Sequence, residues 1–207
     1  MPREPSVRQE TAGEFDYDRT VALSDGVFAI AMTLLVLSVG SSDLGPGHHV
    51  PFDRVIDNAW GEITSYAISF AVLALVWIRH HAFFRSLRRI DARMTALNLA
   101  YLALVAFTPF PTRLLGRYGN HVGAVAAYAI TLGCLALITG AMRAHADRAR
   151  LLEPGADVPD PARNVITAAV FFGSIAVAVV SPFLAEMTWI LAAILPGRLA
   201  ARRPRTR

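Results

Sequence analysis

Residues 122–142 carry no charged side chain, and that uninterrupted apolar length constrains this chain more than any other feature. A helix needs about 20 mostly apolar residues to cross the hydrocarbon core of a bilayer. Comparable runs recur at Thr20–Gly40, Ala59–Ile78, Met94–Phe110 and Asn164–Ser181, and a shorter one at Met187–Leu199 is broken by Pro196 and Gly197. Charged residues make up only 17% of the chain, and its mean hydropathy is +0.42. The reading is an all-α, polytopic membrane protein with six transmembrane helices. A six-helix transmembrane domain, 19–200, is expected between a polar N-terminal tail, 1–18, and a basic tail, 201–207. Residues 1–18 hold no short apolar core before the first span, so that span is expected to stay as an uncleaved anchor. The Gly-, Pro- and Asp-rich stretch Ser41–Asn58 reads as a loop, as does the short link from Pro111 to His121.

All 20 basic residues are arginines, and the pI is near 9.8. In a soluble protein that balance would suggest nucleic acid; here the arginines cluster beside the spans, where topology explains them. With the N-terminus inside, the outer loops hold only Arg54, Arg113 and Arg117, and the other 17 face the cytoplasm. Both termini are therefore expected on the cytoplasmic side of the cell membrane. Arg85, Arg88, Arg89 and Arg93 form a basic segment suited to anionic lipid. The one cysteine, Cys134, excludes an intrachain disulfide and a cysteine zinc site. His80-His81, or His48-His49 with Asp43, could suggest metal, but adjacent histidines on a helix point apart, so no metal site is expected. No phosphate loop, nucleophile elbow or zinc-protease motif occurs, so neither a catalytic residue nor a cofactor is implied.

Within the first span, Ser24 and Asp25 interrupt the apolar run. A lone carboxylate at the centre of a span costs about 2.5–3.5 kcal/mol on insertion scales, so such a group faces a partner or water. One reading is a structural knot, with Asp25 paired to Arg19, His80 or His81 and with Asn98 nearby. The other is an ion site or proton carrier, to which Glu62, near the outer interface, could contribute. In the knot reading, Asp25→Asn would damage assembly, since breaking a buried pair costs about 3–5 kcal/mol. Further along, Ile30, Leu34 and Leu37 fall at i, i+4 and i+7, one face of a helix. That spacing fits packing or lipid contact as well as a pore wall. The second half has no repeat of the Ser-Asp foot, so no inverted-repeat transporter plan is visible.

The stretch Arg19-x-x-x-Leu-Ser-Asp-Gly-Val-Phe-Ala-Ile-Ala-Met-Thr-Leu-Leu resembles the first-helix signature of the transmembrane protein 175 family of endolysosomal potassium channels and their bacterial relatives. The family pattern is Arg-x-x-x-Phe-Ser-Asp, and Leu23 stands where it has Phe. Trp77-x-x-His80-His81-x-x-Phe84, Asn98 and Pro109-Phe-Pro111 resemble its second- and third-helix signatures. The resemblance implies a bacterial member with one six-helix repeat per chain, assembled as a homotetramer whose first helices line the pore. Ile30, Leu34 and Leu37 match the family's hydrophobic constriction, with Thr33 a polar pore position beside it. Arg19, Ser24 and Asp25, with His80 or His81 and Asn98, match its hydrogen-bond network.

The expected function is passive permeation of potassium, modestly favoured over sodium. No carbonyl filter of the Thr-Val-Gly-Tyr-Gly type is present, and an apolar ring discriminates by how tightly an ion holds its water. The rival reading is a proton-coupled secondary transporter using Asp25, His80 and Glu62; a third is a non-transporting scaffold. The expected partners are potassium ions, the lipid bilayer and copies of the same chain, with no nucleic acid.

Overall fold

Prolines and capping side chains set where the helices of this protein begin and end. In the computed structural model, which describes residues 7–39, 52–156 and 159–189, the elements are α1 (Val7–Leu35), α2 (Phe52–Phe84), α3 (Ala92–Phe107), α4 (Pro109–Tyr118), α5 (Val122–Arg148) and α6 (Ala162–Val180). A 3-10 turn, Val36–Ser38, tightens the end of α1. Asp91 starts α3: its Oδ1 accepts from the Met94 N–H at 2.7 Å, satisfying one of the orphan donors of a helix start. Pro109 has no N–H to continue α3, so the chain breaks at Thr108 and α4 restarts with proline in its first turn. His121 Nδ1 accepts from the Gly123 N–H at 3.2 Å and caps α5. Pro182 follows the end of α6, and residues 182–189 are again helical.

α5 lies at the centre, packed by α3, α4 and α6, while α1 leans on α2 and α3. Glycines allow two close helix approaches, α5 to α6 and α4 to α2. A Cβ placed on Gly133 would stand 2.9 Å from the Phe172 ring of α6, and one on Gly116 of α4 would stand 3.2 Å from the Glu62 Cα of α2. Small residues are what let helix backbones come this close in a bilayer. Gly133→Val should therefore push α5 and α6 apart and cost about 1–3 kcal/mol. A lowered melting temperature of the purified protein is the expected readout, and an unchanged one would mean that Phe172 yields freely.

Among the described residues, four helices are long and apolar enough to cross a membrane: Trp60–Phe84, the continuous pair Ala92–Tyr118, Val122–Arg148 and Ala162–Val180. The described part of α1, which carries Arg19 and Asp25 and ends its α-turns at Leu35, is not among them. Most of the sixth run, Met187–Leu199, lies outside the described residues, as do Asp43, His48 and His49. Three boundaries differ from the sequence reading. The tail is helical from Val7, because α1 simply continues outward. α2 begins at Phe52, inside the stretch read as a loop. The link after Pro111 is the helix α4, with Pro111, Thr112 and Leu115 buried; prolines in the first turn start a helix as readily as they end one.

The two arginine-rich connections meet. Leu87 and Leu152 form an isolated antiparallel bridge, the Arg88 N–H donates to Leu151 O at 3.0 Å, and the Glu153 N–H donates to Ser86 O at 2.9 Å. This clip joins the α2–α3 and α5–α6 connections at the end of the bundle where α3 begins. Tyr17 ties α1 to the same end, its hydroxyl donating to Phe84 O at 2.8 Å.

Candidate functional site

α1 has two unlike faces. Ser24, Phe28, Ala31 and Leu35 recur at i, i+4, i+7 and i+11 and are almost wholly buried, so this side is pressed into the bundle. The other side is open: Ile30 is 61% exposed, Leu34 41% and Leu37 58%, and Thr33 is exposed beside them. The Thr33 hydroxyl donates to Ile30 O at 2.8 Å, which leaves its oxygen lone pairs free to face outward. Gly26, one turn below Ile30, has open space where a Cβ would stand. Near the end of the stripe, Arg113 Nη2 reaches Leu37 O at 3.4 Å, placing a cation against the terminal carbonyls of α1.

The polar foot divides into two limbs. In the buried limb, the Ser24 hydroxyl donates to Thr20 O at 2.8 Å. Asn98 Nδ2 of α3 donates to Ser24 Oγ at 3.0 Å. Asn98 Oδ1 is 2.8 Å from His80 Nε2 of α2. Because the amide nitrogen is committed to Ser24, the amide oxygen must accept, and His80 carries its proton on Nε2. Three helices are thus joined by bonds that all run one way, from His80 through Asn98 and Ser24 to the backbone of α1. His80 is held flat between the rings of Phe84 and Tyr101, with centroids 4.4 and 5.1 Å away. Phe28 closes a third side at 5.5 Å.

The second limb is nearer the surface. Trp77 Nε1 donates to Asp25 Oδ1 at 2.8 Å, and His81 Nδ1 stands 3.8 Å from the same oxygen. The Asp25 side chain keeps 42% of its surface. So the residue beside Asp25 is His81, while His80 serves Asn98. The sequence reading looked for a cationic partner and passed over Trp77 as a donor. An indole N–H four residues before His81 on one helix face was the available signal. Arg19 lines a cavity of about 750 Å3 with Thr20, Leu23, Asp91 and Thr95, beside the Thr20 end of the buried limb. Glu62, expected within reach of water, is only 8% exposed, packed where α2 meets α4.

Where α3 begins, Asp91 also faces His145, whose Nε2 is 2.8 Å from Oδ2. Burial works to raise this carboxyl, but the Met94 N–H and His145 outweigh it and hold it below the usual carboxylate value. Among the described residues no group of three or more metal-ligating side chains gathers.

The chain that builds this site is similar in sequence and fold to known proteins. The family model described as endosomal/lysosomal potassium channel TMEM175 matches residues 19–109, which take in both limbs and the stripe. A potassium channel of Streptomyces collinus is 37% identical over 149 residues, 68% of this chain and 70% of that one. A potassium channel of Chamaesiphon minutus is 33% identical over 161 residues, 72% and 75% of the two chains. The Bos taurus endosomal/lysosomal proton channel TMEM175 is 34% identical over 120 residues, a match covering 25% of its length. The crystal structure of a lysosomal potassium-selective channel TMEM175 homolog from Chamaesiphon minutus superposes with a TM-score of 0.69 at 27% identity, over 91% of this chain and 99% of that one.

Proposed function

The chain belongs to the TMEM175 channel family, and from that premise we propose that it is a passive potassium channel whose pore is walled by α1 of four identical copies. The family is one of channels and not of enzymes, so what needs a physical account is permeation. The two-faced α1 carries the reading. One side is fixed by the foot and by Phe28, Ala31 and Leu35; the other offers Ile30, Leu34 and Leu37 with Thr33 among them. Four such faces around an axis would make a narrow apolar ring with a hydroxyl beside it.

Such a ring gives an ion no ligands. It stops flow when it dewets, and when wet it favours the ion that holds its water less tightly, potassium over sodium. The preference is modest because no cage of carbonyls replaces the hydration shell. The two limbs at the foot would hold each pore helix at a set rotation and depth. Six crossings, both termini in the cytoplasm and a channel domain over 19–200 complete the proposal, supported by the placement of the arginines. The cell membrane is the setting, and potassium is the permeant ion without any cofactor.

A proton-coupled transporter working through Asp25, His80 and Glu62 fits the geometry less well. Glu62 and His80 are 18 positions apart on α2, about 27 Å along a helix, and His80 and Asp25 belong to different limbs. The deciding measurement is ion flux into proteoliposomes containing the purified protein. Passive potassium uptake that exceeds sodium uptake and follows the imposed gradient is expected. Vesicles that stay ion-tight, or that accumulate potassium only when a proton gradient is imposed, would overturn it.

A further inference from the structure

Behind α2, with His80 and Tyr101 of the foot in its wall, a cavity of about 500 Å3 opens between α2, α5, α6 and residues 182–189. It follows α5 from Tyr128 to Arg143, about 22 Å at the rise of an α-helix. Its long wall is apolar, with Val72, Leu132, Leu135 and Phe171. Ile68 and Leu75, both on its lining, are exposed and open it sideways to the hydrocarbon around the protein.

One end is different. Arg79, Arg143 and Asn164 line it together, where α2 and α5 finish and α6 begins. Arg143 is 9% exposed, its guanidinium lies 5.9 Å from the centre of the Phe83 ring, and its Nε is buried with no hydrogen-bond partner. Asn164 Nδ2 is likewise buried without a partner. Arg79 and Arg163 are near enough to add to the positive potential on Arg143. Glu186, the one carboxylate on the described lining, stands at the other end beside Tyr128. Buried donors without acceptors are costly, and here they gather at the mouth of an apolar slot of ligand size.

We propose that this cavity holds one acyl chain of an anionic phospholipid drawn from the bilayer, with the lipid phosphate accepting from Arg143, Arg79 and Asn164. The phosphate supplies acceptors where Arg143 and Asn164 have unpartnered donors, Arg79 adds its charge at the exposed mouth, and basic pockets between transmembrane helices suit such headgroups. The slot lengthwise along α5 fits a chain where a soluble anion would leave it empty. A filled slot would brace α2, the helix that brings Trp77 and His80 to the foot, and so couple lipid composition to the set of α1.

The test is native mass spectrometry of the intact protein with phosphatidylglycerol, with phosphatidylcholine and with the glycerophosphoglycerol headgroup alone. Wild type should retain phosphatidylglycerol well above phosphatidylcholine and should hold little of the headgroup. Arg143→Gln should lower that retention about fivefold, the usual worth of one arginine at such a surface. Arg79→Gln, an exposed position where folding is not at stake, should do the same with an unchanged melting temperature in lipid-free detergent. Equal retention of the two lipids, retention of neither, binding of the bare headgroup as tight as that of the lipid, or unaltered binding by Arg79→Gln would each overturn the proposal.

Discussion

Ile30→Asn should raise conductance and weaken the preference for potassium over sodium. Ile30 stands 61% exposed on the open face of α1, one turn before Leu34 and on the same side as Leu37. In a fourfold ring, four isoleucines leave a passage that water enters poorly, and an ion must shed part of its shell there. Four asparagines would wet the ring and supply donors and acceptors. Lowering the barrier by about 1.4 kcal/mol raises conductance about tenfold, and the sodium current should gain more than the potassium current because sodium loses more by dehydration. Val179→Asn on α6 is the comparison, since Val179 is exposed but lies on another helix and should leave permeation alone. Paired potassium and sodium currents from the three proteins in one bilayer composition decide the matter. Unchanged conductance and preference in Ile30→Asn would make the stripe a packing or lipid surface and place the pore elsewhere.

The second large effect is on stability. Asn98→Ala removes the middle of the buried limb: His80 Nε2 loses its acceptor and Ser24 Oγ its donor, both in the protein interior. Each buried group left unpaired costs about 1–3 kcal/mol, so the melting temperature should fall by about 5–15 °C, and the proposed tetramer and its flux should weaken with it. Asp25→Asn should be milder. Asparagine keeps an oxygen for the Trp77 N–H, and the half-exposed carboxylate is already partly served by water. That reverses the weight the sequence reading gave to Asp25. A melting temperature for Asn98→Ala within a degree or two of wild type, or a larger loss for Asp25→Asn, would show that the exposed limb, not the buried one, anchors α1.

The elements of this foot were legible in the sequence because polar atoms stand out in an apolar run. Ser24, Asp25, His80, His81 and Asn98 could each be named from the chain. Their pairing could not be. His80 and His81 are neighbours, yet successive helical residues point about 100° apart, so one turns to α3 and the other toward α1. That rotation is fixed by packing, here by Phe28, Phe84 and Tyr101 around His80, and no local pattern records it. Trp77 was hidden for a similar reason, since an indole reads as apolar bulk until its N–H has a partner. α4 was missed because two prolines read as a stop, though proline in a first turn also permits a start. The slot beside Arg143 was invisible altogether, as a cavity belongs to the space between helices and not to any one of them.

The Trp77–Asp25 bond gives the protein a light-emitting probe of its own at the base of α1. The chain has three tryptophans: Trp60 is largely exposed, Trp189 donates to Ser174 and stacks on Tyr128, and Trp77 donates to the carboxylate of the helix proposed to wall the pore. With Trp60 and Trp189 replaced by phenylalanine, the remaining emission comes from an indole whose hydrogen bond to α1 would change with any turn or slide of α1 against α2. Opening and closing could then be followed in unlabelled protein by colour and quenching, without electrodes and without attaching a dye.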